Sequence, residues 1–251
     1  MKKLYVAIAL AGILSSVAVY GAMEVTLAQD TSQYSYGSGG EFRATPGGTP
    51  TSLLSAMNPA LYASVTSGGS GSSYYFQTFC IEHGEYFSPG TTYSASISAN
   101  AMNGNQGPEG DPVSIGTAWL YSQFAAGNLV GLTAGNAASP YVYTLGAGRV
   151  ASAGALQATI WWLENEPTGV SDPGTDNVFR NAVLAQYGTL AAASADAGGA
   201  FGVRALNLGA AGIVQDQLII VPEPATVLAG ALLLLPFAAS TLRRVRRNRT
   251  A

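Results

Sequence analysis

Cysteine, histidine and lysine are all but missing from this chain. Of its 251 residues one is cysteine, Cys80, and one is histidine, His83. A single thiol excludes an internal disulfide framework. One cysteine and one histidine are too few ligands for a zinc site, so neither a metal nor a cofactor is expected. No lysine follows Lys3. Between Gln29 and Val221 only Arg43, Arg149, Arg180 and Arg204 stand against twelve carboxylates, a net charge of −8. An acidic surface of that kind argues against nucleic acid or anionic lipid as a partner.

Long uncharged apolar runs occur only at the two ends. Lys2 and Lys3 precede an apolar run from Leu4 to Tyr20, with small residues beyond it. This is the layout of a secretory signal peptide, residues 1–28, with cleavage expected between 21 and 28. Val19-Tyr20-Gly21 and Thr26-Leu27-Ala28 both offer a cleavage position. At the other end Ala225 to Leu242 carries no charge. As a helix it would be ~27 Å long, close to the thickness of a bilayer core. Arg243, Arg244, Arg246, Arg247 and Arg249 follow it and are expected to stay cytoplasmic. Val221-Pro222-Glu223-Pro224 stands just before the run, held extended by its two prolines.

The Pro222-Glu223-Pro224 motif, one apolar span and a terminal arginine cluster resemble the PEP-CTERM sorting signal, here residues 221–251 (motif 221–224, transmembrane 225–242, arginine-rich tail 243–251). The resemblance implies processing by an exosortase in a Gram-negative bacterium, often one that makes extracellular polysaccharide. It implies transient anchorage in the inner membrane and a destination at the cell surface or outside the cell.

Residues 29–220 remain, long enough for one domain with a substantial core. Periodicity predicts short strands over Val25–Ala28, Tyr34–Tyr36 and Gly40–Ala44, a strand over Tyr74–Ile81, and another over Thr91–Ser98. Asp111-Pro112 reads as the start of a helix that Gly127 ends. Further helices are expected over Arg149–Glu166 and Thr175–Ala193, and closing strands over Phe201–Leu208 and Asp216–Val221. Asn100–Asp111 and Gly131–Ser139 read as loops. There is no repeat of fixed period. The order, β-rich, then helical, then β, predicts an α+β class: a β-rich domain with an inserted helical part.

A lone exported thiol is a free reactive group, a handle for another chain, or a partner in a bond to something other than sulfur. Cys80 lies on the expected strand with Thr78 and Glu82 on its face, while His83 points to the other face. That spacing works against a Cys80–His83 dyad. Gln157 lies on the expected helix, on one stripe with Gly154, Trp161 and Glu164. Gly154 would admit another backbone, and Trp161 would exclude water. A buried amide needs partners. Gln157 therefore reads either as a satisfied amide beside a small buried Cys80, or as the second half of a bond to it.

Phe79-Cys80-Ile81-Glu82 on a strand, followed by Leu156-Gln157-Ala158-Thr159-Ile160-Trp161 on a later helix, is similar to the thioester domain of bacterial surface adhesins. That family's glutamine, two residues, aliphatic, tryptophan motif is met by Gln157, Ile160 and Trp161. The resemblance spans about Gly40 to Asp216. It implies that Cys80 and Gln157 condense with loss of ammonia, and that an amine or hydroxyl on a partner surface later attacks the acyl carbon. The protein would then be a single-use covalent binder rather than a turnover enzyme, with Glu82 and Glu164 as candidates for proton transfer or orientation. The scarcity of lysine fits a protein that carries an acylating group. The sorting tail is of a kind unlike the wall anchors of most such adhesins. Two other classes remain: a non-covalent matrix or polysaccharide-associated protein whose thirteen tyrosines face sugars, and a cysteine hydrolase using Cys80 and His83.

Overall fold

The computed structural model of the chain describes residues 23–37, 39–47, 53, 57, 59–63, 66–68, 74–102, 110–131, 141–166, 169–209 and 214–222. Among these residues the domain is α+β and β-rich. Its strands are β1 (Met23–Ala28), β2 (Phe42–Gly47), β3 (Ser67–Gly68), β4 (Tyr75–Thr78), β5 (Thr92–Ser98), β6 (Asn100–Ala101), β7 (Asp111–Pro112), β8 (Val203–Leu208) and β9 (Gln217–Ile220). Four α-helices lie between β7 and β8: α1 (Ile115–Ala125), α2 (Ala147–Leu163), α3 (Val178–Tyr187) and α4 (Leu190–Ala193).

Seven strands form one antiparallel sheet in the order β3-β4-β2-β1-β5-β8-β9. The sheet curls back on itself. Beyond β4 the chain runs on alongside β9: Cys80 bridges Gln217, the Leu218 amide donates to the Phe79 carbonyl, and the Ile81 amide donates to the Asp216 carbonyl. β4 therefore shares its outer edge between β3 and β9, and Cys80 sits at the seam where the ring of strands closes. Closure leaves few unpaired edge groups near the thiol. Phe76, Phe79, Val25, Leu27, Ala44, Leu206 and Leu218 fill the interior and meet α1 and α2 through Leu120, Phe124, Leu156 and Ile160.

β1 lies between β2 and β5, with Val25 and Leu27 fully buried. The cleavage position after Ala28 would thus remove a central strand. The alternative at Val19-Tyr20-Gly21, most of the proposed signal segment, and the sorting signal beyond Pro222 lie outside the described residues. No helix among the described residues is long and apolar enough to cross a membrane.

Several boundaries differ from the sequence expectation. Asp111 and Pro112 do not open a helix. They pair with Asn100 and Ala101 as β7. The helix begins after Ser114, whose hydroxyl accepts from the Thr117 amide and so replaces the cap expected of Asp111. Ile115, Trp119, Ser122 and Gln123 share the half-buried face of α1, while Gly116, Thr117, Leu120 and Phe124 are buried; both faces carry apolar residues, so no single apolar stripe marks the helix. The expected helix over Thr175–Ala193 is two helices. α3 is capped by Asn177 and ends at Gly188, whose φ of +82° only glycine adopts readily. The expected strand over Tyr34–Tyr36 is a turn and a single bridge from Tyr36 to Gly39. The loop expected over Asn100–Asp111 has strand at both ends, since Asn100–Ala101 form β6 and Asp111 belongs to β7; its residues 103–109, and 132–139 of the loop expected over Gly131–Ser139, lie outside the described residues.

Candidate functional site

Cys80 and Gln157 meet, although 77 positions separate them. The Cys80 Sγ lies 3.2 Å from Gln157 Oε1, and both residues are buried. α2 delivers the glutamine. Its buried residues Arg149, Ala153, Leu156, Gln157, Ile160 and Leu163 follow helical spacing, and they turn one stripe to the strands.

Every polar atom of the Gln157 amide is used. Oε1 accepts the Gly40 amide at 3.0 Å and the Cys80 amide at 3.2 Å, besides the thiol. Nε2 donates to the Cys80 carbonyl at 2.9 Å. This pattern fixes which end of the amide is oxygen, because the reverse placement would set an NH2 against two N–H donors. Two backbone amides thus converge on the one oxygen that would gain charge if a nucleophile attacked the Gln157 carbonyl carbon. That is the geometry of an oxyanion hole.

The thiol is held neutral. Burial pushes the Cys80 pKa well up, the Gly40 amide opposes this, and the Glu82 charge adds to it. The indole N–H of Trp161, close to the thiol, also opposes the shift.

A turn of small residues covers the pair. The Tyr36 amide donates to the Gly40 carbonyl and the Gly39 amide to the Tyr36 carbonyl. A methyl group on Gly39 would meet the Trp161 ring at 2.5 Å, and one on Gly40 would meet Phe79 at 2.3 Å and Gln157 Oε1 at 2.5 Å. Gly154 has a different function from that expected. It admits the ring of Tyr36 rather than a backbone, with a Cβ there 2.6 Å from Tyr36 Cγ. Trp161 stands as expected beside the site, against Gly39, and meets the His83 ring edge-on at 4.5 Å.

His83 does not serve Cys80. Its ring packs on Trp161, its amide donates to Glu166, and no hydrogen bond among the described residues joins it to the thiol. Glu164 is not at the pair either. Its carboxylate takes the Ser114 amide and hydroxyl and so holds the start of α1. Burial moves its pKa up to about 7. Glu82 accepts the Asp216 amide at 2.8 Å and its carbonyl accepts the Gln215 side chain, which ties the segment after Cys80 to the start of β9. Burial and the Asp216 charge push the Glu82 carboxyl up.

Compared with protein-family models, curated proteins and solved structures, the chain matches none. The site therefore rests on its own geometry. Among the described residues no cluster of three or more His, Cys, Asp or Glu could hold a metal ion.

Sequence reasoning missed six contributors: Tyr36, Gly39, Gly40, Glu41, Tyr141 and Arg149. The Arg149 guanidinium forms a buried fork with Glu41, and the Tyr141 hydroxyl donates to the same carboxylate. A signal was present. Arg149 is one of four arginines in the domain and lies on a helix otherwise built of small and apolar residues, eight positions before Gln157.

Proposed function

We propose that this is an exported surface protein that condenses Cys80 with Gln157 into an internal thioester and uses it once, as a covalent binder. The observation that carries the reading is the buried Cys80–Gln157 contact with two backbone amides on the glutamine oxygen. The fold holds thiol and amide together at an effective concentration far above any in solution.

In the first step Cys80 Sγ attacks the Gln157 carbonyl carbon, and the oxygen takes up charge against the Gly40 and Cys80 amides. The carbon–nitrogen bond then breaks. The thiol proton leaves on the nitrogen as ammonia, and the carbon–sulfur bond remains. In the second step a partner's amine or hydroxyl attacks the same carbon. The carbon–sulfur bond breaks, the nucleophile's proton passes to the sulfur, and Cys80 is a thiol again. Gln157 is then joined to the partner by an amide or ester. The turn over Gly39 and Gly40 and the Trp161 ring hold water off the acyl carbon until a nucleophile enters. The signal segment and the sorting signal would bring the domain out of the cell, with an exosortase acting at the Pro222-Glu223-Pro224 motif.

Intact mass of the purified full chain tests the reading. The wild type should be lighter than its sequence by one ammonia. Cys80→Ala and Gln157→Ala should each show the full mass of their own sequence. Methylamine should add to the wild type and release a thiol that reacts with maleimide. Folded wild type at full sequence mass with a titratable Cys80 would mean that the pair is hydrogen-bonded only.

A further inference from the structure

The Gly40 amide does not reach Gln157 by chance of loop placement; the next residue is bolted to the same helix. Glu41 is fully buried, and Arg149 is nearly so. Arg149 Nε donates to Glu41 Oε2 at 2.9 Å and Nη2 donates to Oε1 at 2.5 Å, a two-bond fork. Tyr141 donates to Oε2 at 2.5 Å, and Ser35 Oγ donates to the Glu41 carbonyl at 2.6 Å. Arg149 Nη1 also holds the Tyr143 carbonyl at 2.6 Å. Both oxygens of the carboxylate are thus engaged, and the fork ties α2 and the segment before it to the residue that precedes β2.

A buried ion pair is a poor device for stability alone. Removing both charges from water costs several kcal/mol per ion, and apolar packing of the same volume often does as well. What a bidentate fork supplies is geometry, since two parallel bonds fix distance and rotation together. Here the fork fixes α2 against the residue that follows Gly40. Gln157 is on that helix, eight residues or ~12 Å further along the axis. Held so, the Gly40 N–H meets Gln157 Oε1, and a slip of about 1 Å would open that bond.

We infer that Glu41, Arg149 and Tyr141 are positioning residues for the acyl chemistry: they hold the Gly40 amide on the Gln157 carbonyl oxygen. None of them touches the reacting atoms. The inference rests on the thioester reading, and the experiment separates the two.

Full-length wild type, Arg149→Lys, Glu41→Gln and Tyr141→Phe are purified alongside Val183→Ala, which opens a cavity in the core beneath α3 and removes no hydrogen bond of the fork. Each is measured for ammonia deficit, methylamine rate, melting temperature and the infrared stretch of the thioester carbonyl with 13C-labelled glutamine. Arg149→Lys and Glu41→Gln should react with methylamine at least tenfold more slowly than wild type, or form less thioester. Their carbonyl band should move to higher wavenumber as the hydrogen bond from the Gly40 N–H to the carbonyl oxygen weakens. Tyr141→Phe, which loses one hydroxyl and keeps its ring, should shift both readouts in the same direction by less. Val183→Ala should lower the melting temperature and leave rate and band alone. Rates within twofold of wild type and an unmoved band, in whichever fork variants fold, would overturn the positioning role while leaving the thioester intact. A wild type without the deficit would instead remove the thioester reading itself.

Discussion

Gly40 has no room for a methyl group. A Cβ there would lie 2.3 Å from the Phe79 ring and 2.5 Å from Gln157 Oε1, and Phe79 cannot retreat because it packs edge-on against Phe124 at 4.9 Å. Gly40→Ala should therefore push the amide off the glutamine oxygen. The expected result is a folded protein, judged by circular dichroism, in which the ammonia deficit is lost or strongly reduced; a full deficit would show that this amide is dispensable. Carboxylates give a second expectation at this scale. Burial raises the pKa of Glu41, Glu82, Asp111, Glu164, Glu166 and Asp216 alike, with Glu164 and Asp111 each moved to about 7. A carboxyl whose folded pKa lies above its unfolded value keeps its proton longer in the folded state. Its contribution is fully present below the unfolded value, about 4.5 for Glu164, and is lost as pH rises to about 7. For Glu164 alone the loss is on the order of 3 kcal/mol. Melting temperature should fall from pH 4.5 to 8, and Glu164→Gln should flatten the fall. A rise over that range would contradict the upward shifts. Cys80 and Gln157 each stood out at this scale, because a lone thiol and a glutamine on an apolar helix face are both out of place; their pairing came from the resemblance to a thioester domain. Gly40 was not, since its bond to Gln157 joins positions 117 apart and leaves no local pattern.

Among the elements, β1 sets the limit on processing. It is hydrogen-bonded on both edges, to β2 and β5, and buries Val25 and Leu27. Losing those two side chains alone removes roughly 3–6 kcal/mol of apolar burial, comparable to the whole stability of a small domain. The signal peptidase should therefore cut before Met23. N-terminal sequencing of the exported protein checks this, and a mature chain starting at Gln29 would contradict it. The strands and the two long helices were visible in the sequence through alternation and small-apolar spacing. One helix start was misplaced, for two physical reasons. Asp111 is taken by the β6 ladder before it can cap a helix, and α1 carries apolar residues on its half-buried face as well as its buried one, so its periodicity is blurred. The closure of the sheet through Cys80 and Gln217 has no sequence signature, because a single bridge between positions 80 and 217 needs no alternation.

For the whole molecule the expectation concerns release. If an exosortase acts at the Pro222-Glu223-Pro224 motif, protein recovered from the surface should lack every tail arginine. Peptide mapping of cell-associated and surface-released material checks this, and Arg249 peptides in the released form would count against it. The seam at Cys80 then has a consequence in time. Synthesis makes Gly40 first, then Cys80, then Gln157, and only last the strand that closes the ring beside the cysteine. Until Gln217 and Leu218 are available, nothing pins Cys80 from that side. On the thioester reading, a chain still threading through a translocation channel would be chemically silent, its acyl group formed only once the final strand docks beside Cys80.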